Sequence, residues 1–336
     1  MKMRPWKDQQ KRITIGLILM IVLCVFPLKA SCISHQSNSE NIFVYPHQDV
    51  QQIIDAAPAH STLIFQNGTF SQSFQILKPL TLRGSSKAST MFRIETKPNN
   101  PAITISSKHV TLSNLTITNP ADGLYTTAIR IDEEYIHIKD CHITNTPIGI
   151  AIWDNHTRIS NCTFSNCSDE GILFISTSIS TSQSNIVTNC LFINNCDGIE
   201  LQHSSNNRIT HCTFLNNSHA GIDGICDNNN NNTISFCTFK SNKAYDIYFA
   251  SSLHNQIRGC DVENTSRSIV FTPSFSTNSI EQTNSIVTDE QMQQSPTFRS
   301  QQPFQKDNLI QFIKTKSIAF ITDLIQDITL WFLQRR

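Results

Sequence analysis

Residues 208–215 read RITHCTFL and residues 233–240 read TISFCTFK, and the phrase returns along the chain with small changes. Between His109 and Asn278 seven such segments follow one another: HVTLSNLTI, IHIKDCHI, RISNCTF, IVTNCLF, RITHCTF, TISFCTF and QIRGCDV. Their central residue is Leu115, Cys141, Cys162, Cys190, Cys212, Cys237 and Cys260, at spacings of 26, 21, 28, 22, 25 and 23. A period in this range marks stacked supersecondary units, none of which can bury its apolar face alone.

The other repeat positions say how each unit is built. An Ile, Leu or Val stands three residues before the Cys position, and Ile117, Ile143, Phe164, Phe192, Phe214, Phe239 and Val262 stand two after it. Four successive Phe at one position predict an interior aromatic stack, because equivalent side chains of adjacent coils lie about 4.8 Å apart. Four residues after the Cys position come Asn119, Asn145, Asn166, Asn194, Asn216 and Asn264, with Ser241 as the exception. Asn tolerates the left-handed turn conformation, so these mark corners, and their stacked side chains are expected to form a hydrogen-bonded ladder. A small residue followed by Ile then opens a second strand, as in Gly149-Ile150, Gly171-Ile172, Gly198-Ile199 and Gly221-Ile222. The Gly is expected at a tight bend. Short strands with fixed corners predict an all-β right-handed parallel β-helix, a solenoid whose hand follows the general preference of parallel crossovers. The missing 3.6-residue period excludes an α solenoid, and the missing helical half of each unit excludes leucine-rich repeats.

The cysteines then belong to the core. Six of the ten outside the leader's apolar run occupy one repeat position among Ile, Phe and Val, where a small buried hydrophobe fits. They are expected to be free thiols. Cys167 and Cys196 lie outside that register, in turns of successive rungs, and would be the disulfide if the chain has one.

Five divisions follow. Residues 1–32 read as a secretory signal peptide or a retained signal anchor: Lys2, Arg4, Lys7, Lys11 and Arg12 precede the apolar run Ile13 to Leu28, and small residues follow. Cys32 at the end of this stretch also admits lipidation. Residues 33–60 hold a polar segment and a short capping helix, DVQQIIDAA, with Asp49 as N-cap and Gln52 at the capping-box spacing. Such a helix would cover the open end of the stack. The β-helix itself is expected over residues 61–285, a Gln/Ser-rich linker over 286–306 and an amphipathic C-terminal helix over 307–336. The last segment either folds over the final coil or touches a membrane surface, as Trp331 and the Arg335-Arg336 end allow.

The sequence carries 26 Lys/Arg and 26 Asp/Glu, but the first 32 residues hold six of the basic and one of the acidic groups. The remainder is acidic by about five charges, which argues against nucleic acid as a partner because phosphate backbones need a basic stripe.

The stretch NIFVYPHQDVQQIIDAAPAHSTLIFQNGTF, the following ILKPLTLRG and the Asn/Cys-rich rungs with Gly-Ile corners resemble the right-handed β-helix proteins related to NosD and to pectate lyases. The resemblance covers roughly residues 41 to 280. It implies an exported protein, secreted, periplasmic or held at the cell surface, that binds or processes polysaccharide. For NosD-like members it implies a periplasmic partner in copper-centre maturation. The Asp-Pro-His-Asp motif of alginate epimerases, the Arg-containing lyase motifs and the spaced Asp pairs of pectin-degrading relatives are missing. No catalytic residue therefore carries over, and any enzymatic activity would be that of a polysaccharide lyase or glycoside hydrolase.

Candidate chemistry is sought in outward residues at matching positions of neighbouring rungs. Glu200 and Asp223 each stand two residues after a Gly corner, and Glu170 and Asp197 each stand directly before one. Two carboxylates about 5 Å apart repel by roughly 3 kcal/mol at an effective dielectric near 20. Such a pair binds a cation, shares a proton or splays into water. Calcium at Glu200 and Asp223 would assist recognition of acidic sugars, and the same two residues are the candidate acid and base if the chain is catalytic. Glu170, Asp197, Trp153 and Tyr248 are candidate glycan contacts, each aromatic standing alone on its rung. Copper as an alternative cofactor points to histidine. Of His203, His211 and His219, no two share a repeat position, and His203 is the candidate ligand. The sequence thus predicts a monomeric exported β-helix that binds polysaccharide or glycan along its side. A NosD-like copper-maturation partner and a purely structural or adhesive surface protein are the alternatives.

Overall fold

The computed structural model describes residues 40–177, 182–262, 268–272 and 277–281. The leader, the linker and the C-terminal helix expected from the sequence lie outside the described residues. Within them the chain coils into a parallel β-solenoid with three sheets, of eleven, nine and eight strands, and each turn adds one strand to each sheet over most of the array. Every strand pairing is parallel, and neighbouring turns are in register: Phe164 pairs with Phe192, Phe192 with Phe214 and Phe214 with Phe239 in the eight-strand sheet. In the nine-strand sheet Ile172, Ile199, Ile222, Ile247 and Ile269 align in the same way.

This register makes the interior a set of columns. The four Phe rings stack with centroids 4.9, 4.8 and 4.7 Å apart and planes within 6° of parallel. Beside them the six-cysteine column is buried, as expected. Each thiol also meets a backbone acceptor: the Sγ of Cys162, Cys190, Cys212 and Cys237 donates to the carbonyl two residues earlier at 3.3–3.4 Å. Cys167 and Cys196 are free thiols as well.

The corners follow the sequence with two refinements. Asn145, Asn166, Asn194 and Asn216 have φ between 51° and 57°, the left-handed turn their side chains tolerate. The buried amide ladder, however, is formed one residue further on. Asn217 Nδ2 donates to Asn242 Oδ1 at 2.9 Å and Asn195 Nδ2 donates to Asn217 Oδ1 at 3.2 Å, because the residue after the left-handed one turns inward. A second ladder links Asn185, Asn207, Asn232, Asn255 and Asn278 through backbone N–H to side-chain oxygen bonds of 2.7–3.0 Å. The Gly before each Ile does not adopt a positive φ. It is required by space: a Cβ on Gly171, Gly198 or Gly221 would stand 2.5–2.7 Å from the carbonyl oxygen of the next turn.

The first strand, Asn41–Val44, already pairs with Thr62–Phe65, so the sheet begins ahead of the expected boundary at residue 61. The helix Val50–Ala56 is inserted between these strands, and Asp49 caps it by accepting from Gln52 N–H at 3.0 Å. Val50 and Ile54 enter the core. Gln51 then imitates a neighbouring strand: its Oε1 accepts from Gln75 N–H at 2.8 Å and its Nε2 donates to Gln75 O at 3.1 Å. Those bonds satisfy the edge of the nine-strand sheet at Phe74–Ile76.

Two outcomes test this interior. Phe214→Ala opens a cavity between two aromatic neighbours and lowers unfolding free energy by about 3–5 kcal/mol in urea titration. A thiol reagent applied to the folded protein labels Cys196 and Cys226, which are only partly buried, ahead of the other described cysteines. Equal labelling of Cys212, read by peptide mass mapping, would contradict a core column.

Candidate functional site

The in-register stacking that fills the core also lines up the outer face. On the nine-strand sheet one outward column reads Arg130, Ala151, Leu173, Glu200, Asp223 and Tyr248, each residue paired with the next. Glu170 pairs with Asp197 in the neighbouring column. Most of the sequence-derived candidates therefore meet on one surface, about 24 Å long at about 4.8 Å per strand.

At its centre lies a group that the sequence suggested only in part. Asp197 and Asp223 are brought together by His219, which occupies the corner leading into Ala220–Gly224. His219 Nδ1 is 2.9 Å from Asp197 Oδ1 and 3.5 Å from Asp223 Oδ2. Ala220 N–H donates to the same Asp197 oxygen at 2.7 Å. One ligand atom from each of the three side chains lies within 4.8 Å of the others. Glu200, beside Asp223, accepts from the Gln202 side-chain amide. Comparing the three histidines with one another conceals this arrangement. His219 shares its repeat position with neither of the other two, and its partners are an acid four residues ahead and an acid of the preceding coil.

The acids do not splay into water. Glu170, Asp197, Glu200 and Asp223 are 0, 4, 4 and 1% exposed, whereas the His219 side chain is 42% exposed. Burial, reinforced by the negative fields of Asp197 and Glu200, pushes the Asp223 carboxyl up to about 8. The Asp197 hydrogen bond raises His219 to about 9 against the opposing effect of its burial. The donor set also differs from the oxygen-only cage that suits calcium, because an imidazole nitrogen stands between the two aspartates.

The remaining candidates fall in two places. Tyr248 stacks on Tyr245 of the same strand at 5.0 Å, and Tyr245 meets His219 edge-on at 6.0 Å. Tyr248 is thus one of a pair rather than a lone aromatic. Trp153 packs against an outer apolar cluster of Ile148, Ala151, Leu173 and Ile175, and the Arg130 guanidinium lies 5.3 Å from its ring centre. His203 stands apart in a left-handed turn, paired at 3.0 Å with the exposed Asp227. His211 stacks on Phe236 at 5.3 Å. Neither reaches the Asp197–Asp223 group. The helix that exists among the described residues is too short and too polar to cross a membrane.

This fold and its lined outer face define a right-handed parallel β-helix protein. The family model described as "Right handed beta helix region" matches residues 82–225, and the model described as "Periplasmic copper-binding protein (NosD)" matches residues 176–299. The two matches together run over residues 82–299, and the chain has the parallel β-helix fold of the proteins they describe. No curated protein sequence matches it. Among solved structures, ORF18 of Geobacillus virus E2 is 15% identical at a TM-score of 0.51, over 86% of this chain and 65% of its own. A mannuronic acid specific polysaccharide family 6 lyase from human gut microbiota is 11% identical at 0.50, over 74% and 66%. Full-length tailspike protein 2 from an Escherichia coli O157:H7 bacteriophage is 13% identical at 0.53, over 74% and 39%. The chain spans less than two thirds of each of these three neighbours.

The two shifted groups set a pH dependence. Both hold protons more tightly in the folded protein than in the unfolded chain, so folding is favoured while they are protonated. For Asp223 that stability is complete below its usual value of 3.8 and is lost as pH rises through about 8. For His219 it is complete below 6.5 and lost through about 9. Asp223→Asn is therefore expected to stabilise the protein by on the order of 1–3 kcal/mol at pH 8 and to change little at pH 4. Thermal melts at the two pH values check this, and an equal effect at both would contradict it.

Proposed function

We infer that this protein binds an extended polysaccharide or glycan along the outer face of its nine-strand sheet, outside the cytoplasm. The observation that carries the reading is the single register column from Arg130 to Tyr248, in which cationic, apolar, acidic and aromatic side chains succeed one another. An extended chain laid across successive turns meets the partly exposed Arg130, Trp153, His219, Tyr245 and Tyr248, while Ala151, Leu173, Glu200 and Asp223 lie buried between them. Trp153 and the Tyr245–Tyr248 pair flank the acidic centre, and aromatic rings offer sugars an apolar surface. Two of the solved neighbours support the same direction by their descriptions, as a mannuronic acid specific polysaccharide lyase and as a bacteriophage tailspike. The reading assigns binding and no bond cleavage, since no lyase or hydrolase motif is present in the sequence.

Titration against a glycan panel tests it. Trp153→Ala and Tyr248→Ala are each expected to weaken the bound glycan at least tenfold, which is about 1.4 kcal/mol. Met91→Ala, on the exposed face of strand Thr90–Arg93 in the eight-strand sheet, leaves binding unchanged. A blank panel, or affinities unaffected by both site variants, would overturn the assignment.

A NosD-like copper role is the second reading, favoured by one observation. The match described as a periplasmic copper-binding protein covers residues 176–299 and so includes Asp197, His219 and Asp223. Copper retained stoichiometrically after anaerobic purification would favour it over glycan binding, and its absence would remove it.

A further inference from the structure

We propose that Asp197, His219 and Asp223 form a binding site for one borderline divalent transition ion of the zinc class. The site is independent of the glycan reading: it concerns a cation held at the sheet face, whatever else that face binds.

Three observations carry the proposal. The first is the donor set, one imidazole nitrogen between two carboxylates, which suits zinc-class ions better than hard calcium. The second is spacing. In a tetrahedral site with bonds of about 2.0–2.1 Å, ligand atoms stand about 3.3–3.4 Å apart. His219 Nδ1 already lies 2.9 Å from one Asp197 oxygen and 3.5 Å from one Asp223 oxygen, and all three ligand atoms lie within 4.8 Å of one another, close enough for side-chain rotation to reach that spacing. The third is an unsatisfied ligand. Asp223 is 1% exposed, and its Oδ1 is buried with no hydrogen-bond partner among the described residues. The atom that faces His219 is Oδ2 of the same carboxyl, so a cation held by both oxygens would relieve the cost of leaving Oδ1 unpaired.

The surroundings fit the same purpose. The Ala220 N–H bond fixes the orientation of Asp197, as outer partners commonly do for metal ligands. Glu200, paired in register with Asp223, adds negative charge beside the ion. His219 is the partly exposed member, which gives an ion a way in and leaves one side open to solvent. Three protein ligands with an open side are the arrangement in which zinc keeps an exchangeable position.

The test uses the full chain without a polyhistidine tag, stripped with chelator, at pH 7.5. Zinc ion alone is expected to bind once per chain by calorimetry and, at about 100 times its dissociation constant, to raise the melting temperature by about 5–10 °C. Calcium at the same concentration produces no comparable shift. His219→Gln alters a partly exposed side chain and Asp223→Asn replaces a buried ionisable carboxyl by an amide of the same shape, so both are expected to fold. Each weakens zinc at least tenfold, while the urea midpoints confirm intact folds. Absence of saturable zinc binding by the parent protein, wild-type zinc affinity in both variants, or an equal response to calcium would each overturn the proposal.

Discussion

Everything in this protein depends on parallel strands stacked in register about 4.8 Å apart, so that each side chain has the equivalent residue of the next coil as its nearest neighbour. The interior obeys this constraint with residue types that tolerate their own copies. Phe stacks on Phe with planes nearly parallel, Ile lies over Ile, and small thiols fill one column while donating to backbone carbonyls. Asn succeeds in the buried corners because its amide is both donor and acceptor, and a column of amides satisfies itself. Charge cannot be repeated in this way without compensation. Columns of like charge therefore need an explanation, and the outer face of the nine-strand sheet contains them.

The balance at that face is set by burial as much as by proximity. Glu170 faces Asp197 and Glu200 faces Asp223 across adjacent strands, and none of the four is more than 4% exposed. Solvated surface acids would be screened. Here the penalty is reduced by other means: a proton held on Asp223, an imidazole drawn between two carboxylates, and the Ala220 N–H and Gln202 amide donated to Asp197 and Glu200. A site of this kind stores unfavourable electrostatics in a rigid frame, the condition under which perturbed groups become useful for binding.

How much of this was legible in the sequence follows from the same register. Positions repeated in every coil were readable, because Cys212 or Phe214 can be compared with its counterparts in neighbouring rungs. The pairing of Glu200 with Asp223 and of Glu170 with Asp197 was readable for that reason, since both are defined by distance from a Gly corner. His219 was harder. It occupies a corner outside the strand register, and its role arises from a carboxylate of the preceding coil, which no comparison among histidines reveals. Tyr245, the partner of Tyr248, was hidden because two aromatics three residues apart reach one another only across a strand's local bend. The depth of burial of the acids was also illegible, since alternation on a strand assigns a face but does not state how far that face is covered. The Gly corners were identified correctly, but for a different reason: the approach of the next coil's carbonyl, rather than turn geometry, excludes a side chain there.

The site depends on stacking that places His219 between two carboxylates. Side-chain nitrogen NMR of the imidazoles across a pH titration, with His219→Gln identifying the resonance, measures this directly. The structure predicts that His219 titrates far above an ordinary imidazole, near 9, with its Nδ1 proton directed to Asp197. Titration at or below 6.5, with no sign of that bond, would contradict the arrangement on which the site depends.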